Sequence, residues 1–545
     1  MPSPILKYFL FVCLFSHPLL SSCNQQAKQK LVDTDAVVKD WNQTIPGNFS
    51  AQSKTVFDSI NIDSFIVNYP AFKTYTGEIR SFYQNRNYAY AWYDGGRLIE
   101  HAGNLANRIL NLETEGIYST TPYKKELDSL MFNVSPKSKK PDLELELMLT
   151  AQYFVFSKVA WQGMSSVVSK SNRWFLPRKK VNYEQYLDSL LKTSETIGSI
   201  REPVNRQYEL LRGWLQKYRE LDRHEEWKPI AMPKKSYKLG DSAEVISLIK
   251  KRLYQLRDYD GDTLSIVFSD ELHYAVEQFQ ERHGLQVDGI FAKKTLEQLN
   301  VPLEDRIKQI VVNMERMRWL PINLNREYLV VNIPEFKLHV YNADSLLWSC
   351  KVVVGKTVHQ TTVFYGEIKY VVFSPYWNIP NGILRKEIIP GMWKDPNYLA
   401  KHDMEITGYR DGLPIIRQKP GPENSLGLVK FLFPNSYNIY LHDTPSKSLF
   451  GELTRAFSHG CIRISEPVKM ANFLLKNQPE WDANRIEEAM HAGIENTVTL
   501  KEKVPVYIAY LTAFTDRNQQ LNFRNDIYDL DKRLADMIIS GKGKY

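Results

Sequence analysis

The sequence predicts a multidomain α+β protein: an α-helical domain, a small three-helix module, a β-rich domain broken by a capping insertion, and a closing helix. Three observations predict it. The 545 residues exceed what one hydrophobic core serves, and 43% hydrophobic with 12% aromatic content supports packed domains rather than a disordered chain. Apolar residues recur with helical spacing to about residue 218 and again over 239–301. From about residue 327 the pattern changes to short β-like runs.

At the start, Lys7 precedes an apolar run over 8–20, then the small residues Ser21 and Ser22, then Cys23, which is the order of an export signal over 1–22. Leu20-Ser21-Ser22-Cys23 resembles a bacterial lipobox. That implies acylation of Cys23 and a lipid anchor in a bacterial membrane, with the folded body in the periplasm. Asn24 is compatible with outer-membrane sorting. His17-Pro18 interrupts the apolar run, so a plain cleaved signal with an incidental cysteine stands as the competing reading. No later stretch approaches eighteen consecutive apolar residues, so no spanning helix is expected. Residues 23–47 are polar and aperiodic, as in a tether.

Residues 48–235 form the helical domain, on the spacing of Leu143, Leu145, Leu147 and Leu149, the run 154–159, and Tyr208, Leu211, Trp214 and Leu215. Its aromatic residues Tyr88, Tyr90, Trp92 and Tyr93 are read as packing positions. A basic, proline-bearing stretch over 228–235 marks a boundary. The module, 236–302, would bury Val245, Ile246, Ile249, Leu253 and Leu256 from one helix and Leu272, Val276 and Phe279 from the next. Asp241 or Ser242, and then Ser269, stand where N-caps are expected. Phe279-Gln280, His283-Gly284-Leu285, Asp288-Gly289 and Thr295 resemble a small peptidoglycan-binding module; a generic helical spacer is the alternative.

Residues 303–326 are assigned to a linker and 327–515 to the β-rich domain. Its predicted strands cover 328–333, 336–341, 348–354, 368–373, 429–433 and 437–441. The Pro- and Gly-bearing interval 381–424 interrupts them, and long ordered insertions of this kind are usually lids or binding loops. Residues 516–545 hold a terminal helix, with Ile527, Leu530, Leu534 and Ile538 on one face to pack back on another domain.

Composition narrows the function. The 70 basic and 62 acidic residues leave +8 with no dense basic block, so nucleic acid is excluded as a partner. Of four cysteines, Cys13 and Cys23 lie in the signal region, leaving Cys350 and Cys461 in the body, which is no disulfide framework. A Cys350–Cys461 bridge would silence thiol chemistry at Cys461. No HExxH pattern or close Cys/His ligand set accompanies the eleven histidines, and no glycine-rich phosphate loop fits a strand-to-helix context, so neither a metal nor a cofactor is expected.

The strongest chemical signal is Ser458-His459-Gly460-Cys461-Ile462-Arg463. A free thiol is mostly protonated near neutral pH, and a neighbouring imidazole or cation is needed to populate the thiolate. His459, Arg463 and His442 are the candidates. Gly460 permits a tight turn that brings amide N–H groups beside the sulfur, where they could hold an oxyanion. Ser465 and Pro467 are read as the cap and first turn of a helix through Met470, Phe473 and Leu474, with the thiol just ahead of it. His442 stands nineteen positions before Cys461, at the end of a predicted strand that can aim it. Trp377, Asn378 and Tyr440 flank the site and are read equally as substrate contacts or packing residues.

These residues resemble the L,D-transpeptidase catalytic domain, whose signature is a histidine followed at a distance by Ser/Thr-His-Gly-Cys. The likeness extends through Trp319-Leu320-Pro321, Gly355-Lys356, 375–380, 418–422 and 430–435, as in the large branch with a helical scaffold, a wall-binding module and a capping insertion. Ser374 departs from it, standing before Pro375 where Asn is expected. The resemblance implies that Cys461 attacks the third-residue carbonyl of a donor stem tetrapeptide, releases D-alanine, and passes the acyl group from a thioester to the side-chain amine of a second stem, giving a 3→3 cross-link. It implies His442 as general base, Gly460 and Cys461 amides as oxyanion donors, and Ser458, His459 and Arg463 as support. It also implies peptidoglycan stem peptides, a membrane and other wall-synthesis proteins as partners, and reaction with carbapenems. The same thiol with water would give an L,D-carboxypeptidase, and with other amines would attach proteins or D-amino acids to the wall. A non-catalytic wall-binding scaffold is the reading from a different class.

Overall fold

The computed structural model describes residues 55–94, 96–133, 140–192, 202–322 and 326–541. The signal, Cys23 and the tether lie outside the described residues. Among those described, no helix is long and apolar enough to cross a membrane.

The helical domain is built around helix α1 (Leu143–Phe156), buried all round from Leu145 to Phe156 and capped by Asp142, which accepts from Leu145 N at 3.1 Å. A charged residue in such a helix must find donors. Glu146 does so, accepting from Ala91 N at 2.6 Å, Trp92 N at 3.0 Å and the Tyr83 hydroxyl at 2.7 Å. That clasp seats Tyr90, Trp92 and Tyr93 in the core. Helix α2 (Arg206–His224) follows, capped by Asn205.

The module contains α3 (Glu244–Gln255), α4 (Asp270–Arg282) and α5 (Lys293–Leu299). Ser269 caps α4 by accepting from Leu272 N at 3.4 Å. Neither Asp241 nor Ser242 caps α3: its N-cap position is Ala243, and Asp241 instead accepts from Lys238 N at 2.9 Å and pairs with Lys234, bracing the preceding turn. Gln280 binds Asp288 and the Gly289 amide, and His283 is buried against Phe279 at 3.9 Å, so the phrase that resembled a binding module is largely its turn and core.

Helix α6 (Leu303–Trp319) stands where a linker was expected. Its charges hid it. Arg306, Glu315, Arg316 and Arg318 are buried, but Arg318 pairs with Glu315 at 2.6 Å and Arg316 with Asp531 at 2.6 Å, so the helix sits in the core despite a polar sequence. It packs on α2 and on the terminal helix Asp531–Ile539.

The β-rich domain contains β1 (Glu327–Asn332), β2 (Lys337–Asn342), β3 (Ser345–Gly355), β4 (Val363–Phe373), β5 (Val429–Leu432), β6 (Leu441–His442), β7 (Ala456–Ser458), β8 (Ile462–Ile464) and β9 (Asn496–Ala509). The main sheet runs β5-β6-β8-β3-β2-β1-β9-β4, and β4 also pairs with β5, so the sheet closes on itself. A strand from the helical domain, Trp174–Phe175, adds to β4 in parallel. The long strand β9 escaped the pattern because Lys501, Glu502 and Lys503 interrupt its apolar positions, at an irregularity between Thr499 and Val504.

Two sequence expectations fail locally here. The predicted strand 437–441 is a strand only at Leu441–His442, because Asn435 closes a turn before it, accepting from Tyr437 N and Ile439 N and donating to Phe433 O and Ile439 O, with Asn438 at φ 55°. Ser465 does not cap the next helix, Pro467–Leu475: it accepts from Lys351 N, and β8 separates the thiol from that helix. The insertion folds on its own small core of Ile379, Leu384, Ile388 and Ile416, under a hairpin of Met404–Arg410 and Leu413–Gln418.

Candidate active site

Register assembles the site. Strands β6 and β8 are parallel neighbours, with Leu441 opposite Ile462 and His442 opposite Arg463, and Ile462 N donates to Tyr440 O at 3.1 Å. Side chains alternate faces along a strand. Leu441 and Ile462 therefore point together into the core, where both are fully buried, and each contributes about 1.5–3 kcal/mol of burial. Tyr440, His442, Cys461 and Arg463 are left as a quartet on the other face. The Tyr440 phenol lies within hydrogen-bond reach of the Cys461 thiol, and the Tyr440 and His442 rings are 5.6 Å apart. Cys461 Sγ lies 3.5 Å from the Asn438 carbonyl. Among the described residues Cys350 and Cys461 are both free, so they form no bridge with each other.

The turn ahead of the thiol is held from inside. Ser458 Oγ donates to Cys461 O at 2.5 Å and accepts from Gly460 N at 3.1 Å. Gly460 sits at φ +119°, a conformation that a side chain disfavours. Its N–H, expected beside an oxyanion, serves the turn instead.

Burial sets the protonation. The His442 imidazole is pushed down to about 3, by burial first and the Arg463 charge second, while the carbonyls of Asp443 and Leu426 pull the other way. The Cys461 thiol is pushed up by burial, which outweighs its contacts with Tyr440 and the Arg463 charge. Both groups therefore rest neutral at pH 7, where the sequence pointed to a populated thiolate. His442 Nδ1 lies 2.5 Å from the Asp443 carbonyl; a carbonyl can only accept, so the proton sits on Nδ1 and Nε2 carries the free lone pair. Among the described residues, Arg463 Nε is buried without a hydrogen-bond partner.

The remaining predicted residues fall elsewhere. His459 points to the insertion, its Nε2 3.1 Å from Glu387, with its ring 5.2 Å from that of His359. Trp377 and Asn378 pair with Gln418 and Arg417 in the insertion's sheet, and Trp377 packs on the insertion core; among the described residues no hydrogen bond or ring contact joins either to Cys461 or His442. Ser374, the departure from the expected Asn, adopts φ +43° and donates to carbonyls at the end of the helix Ala483–His491. Asn tolerates that backbone region better than most residues, which accounts for the expectation. Sequence reasoning missed Thr361, which donates to Gly460 O at 2.9 Å and belongs to no motif.

Residues 326–507 match the L,D-transpeptidase catalytic domain, residues 77–215 a scaffold domain, and residues 242–299 a domain provisionally described as peptidoglycan binding. A curated protein of Haemophilus influenzae, provisionally named an L,D-transpeptidase, is 30% identical over 243 residues, covering 42% of this chain and 49% of the relative. The chain thus spans about half the length of that relative. Among solved structures, an L,D-transpeptidase of Xylanimonas cellulosilytica is 12% identical, covering 51% of this chain and 100% of that one, with a TM-score of 0.18. An L,D-transpeptidase of Mycobacterium smegmatis is 13% identical, covering 35% and 60%, with a TM-score of 0.18.

Proposed function

We propose, from the premise that residues 326–507 carry an L,D-transpeptidase catalytic domain, that the protein forms 3→3 peptidoglycan cross-links through a thioester on Cys461. The observation that carries this is the one-face quartet of Tyr440, His442, Cys461 and Arg463, set by the pairing of β6 with β8. The matches to scaffold and peptidoglycan-binding domains support a wall polymer as substrate.

In this mechanism the neutral thiol loses its proton to His442 Nε2 as Sγ attacks the third-residue carbonyl of a donor tetrapeptide. The tetrahedral oxyanion is received by the Cys461 N–H, with the Arg463 charge nearby. The imidazolium, held through Nδ1–H by the Asp443 carbonyl, then protonates the D-alanine amine as its bond to the carbonyl breaks. The thioester is taken by the side-chain amine of an acceptor stem, whose proton passes to His442, and the thiol is restored. Tyr440 positions Sγ from its own face of the site. The lipobox-like sequence supports an anchor at Cys23 and a periplasmic location, the outer membrane being favoured by Asn24.

The test is product analysis. The protein without its first 23 residues is incubated with a disaccharide-tetrapeptide, alongside Cys461→Ala, and the products are weighed by mass spectrometry. A dimer lacking one D-alanine, absent with the variant, is expected. A tripeptide alone would move the assignment to an L,D-carboxypeptidase, and no thiol-dependent product from folded protein would favour a binding scaffold.

A further inference from the structure

We infer that Thr361 is a positioning residue that aims the Cys461 amide at the oxyanion, and that the C-terminal segment holds it there through Tyr528; this rests on the acyl-transfer reading above. In a trans peptide the C=O and N–H lie in one plane and point in opposite directions. The Gly460 carbonyl and the Cys461 N–H belong to the same peptide. Thr361 Oγ1 donates to Gly460 O at 2.9 Å, from the loop between β3 and β4, and so turns the Cys461 N–H away from that loop. Glycine imposes little resistance to rotation of the peptide beside it, and Gly460 at φ +119° is such a position. Without an outside hold the Gly460–Cys461 peptide is free to flip and take its donor with it. The neighbouring Gly460 N–H is already engaged by Ser458 Oγ, so it cannot substitute.

The direction of the Thr361 proton is itself fixed. Thr361 is 2% exposed, and its Oγ1 accepts from Gly355 N at 2.9 Å, which leaves the single hydroxyl proton for Gly460 O. The Thr361 N–H donates to the Tyr528 hydroxyl at 3.2 Å, and that hydroxyl donates to Gly355 O at 2.6 Å. Tyr528 N in turn donates to the Tyr510 hydroxyl at 2.8 Å, which donates to Asp526 at 2.6 Å. Gly355 makes the ring possible, because a Cβ there would lie 2.0 Å from His359 O. Satisfied at every member and buried at all but Asp526, such a network specifies one arrangement. A segment beyond the matched catalytic domain thereby sets an amide inside it.

The experiment compares two reactions of Cys461 in the full chain, solubilised in detergent. Thioester formation from the disaccharide-tetrapeptide passes through an oxyanion, whereas alkylation by iodoacetamide is a displacement that makes none. Thr361→Val keeps the shape and removes the hydroxyl. It is expected to lower kcat for thioester formation on the order of 10²-fold, as loss of one oxyanion donor does, with KM and the alkylation rate within about twofold of the parent. Thr361→Ser should recover most of the loss. Should Thr361→Val not fold, Tyr528→Phe, which frees Thr361 N–H and Gly355 O, should shift kcat the same way by a smaller factor, again without touching alkylation. Equal losses of both reactions, or unchanged thioester formation, would overturn the positioning role. A parent protein whose Cys461 is alkylated but never acylated would overturn the acyl-transfer reading itself, and the role with it.

Discussion

The chemistry of a single thiol depends on how its surroundings price charge. Cys461 and His442 are both neutral at rest, the thiol because burial raises it and the imidazole because burial and Arg463 hold it near 3. The sign follows directly: a base whose conjugate acid titrates near 3 stays free over the whole physiological range, and a thiol raised above its ordinary value stays protonated there. Acylation by the donor should therefore be flat from about pH 5 to pH 8, with no inflexion at the ordinary histidine value near 6.5. Alkylation by iodoacetamide, which reads the thiolate, should instead rise through that range toward a midpoint above that of an unperturbed cysteine. Stopped-flow rates with both reagents check this; a thiolate already populated at pH 6 would contradict it. His442, Cys461 and Arg463 were named from the motif and from the predicted strand that ends before His442, whereas the pairing of β6 with β8 that gathers them with Tyr440 was not legible, because no strand was expected over 462–464. Thr361 was not, because a lone threonine in a loop carries no pattern.

At the scale of elements, the capping insertion is an independently cored unit that touches the motif through Glu387 and His459, both partly exposed. Exposed pairs of this kind contribute little, typically below about 1 kcal/mol, so the contact guides the insertion without locking it. Glu387→Gln should speed hydrogen exchange across the helical turns over 381–394 while changing the melting free energy by less than about 1 kcal/mol; unaltered exchange would show that the insertion is held by other contacts. The existence of this insertion was readable from the break in strand pattern, and its internal hairpin was not. The same asymmetry runs through the β domain. Strands β1 to β5 announced themselves by apolar alternation, whereas β9 is masked by Lys501 to Lys503 and the turn at Asn435 is a matter of one side chain bonding four backbone groups.

Over the whole described molecule, a polar-looking helix is the keel. Helix α6 joins the helical domain, through α2, to the C-terminal helix, and its partner Asp531 meets Arg316 deep in the structure. Arg316 is almost fully buried, so Asp531→Ala would strand a charge in the core, a change that costs about 3–5 kcal/mol. Urea denaturation should show that loss, while Glu304→Ala, which removes an exposed partner of the half-buried Lys308, should stay within about 0.5 kcal/mol. Equal effects would contradict the central place of the helix. Sequence periodicity could not find α6 because its buried charges break the apolar pattern, and the partners that let Arg316, Arg318 and Glu315 be buried include the distant Asp531, Ala160 O and Met164 N, which only the folded state brings near. The domain order was recoverable, but the way α6 and the C-terminal segment join the domains was not.

The most direct test of a thioester on Cys461 is the intact mass of the protein during turnover. After brief incubation with disaccharide-tetrapeptide and an acid quench, an added mass equal to the donor less D-alanine is expected on the peptide that contains Cys461, released as dimer when acceptor is supplied and absent in Cys461→Ala. An adduct on any other residue, or cross-linked dimer formed by Cys461→Ala, would contradict it.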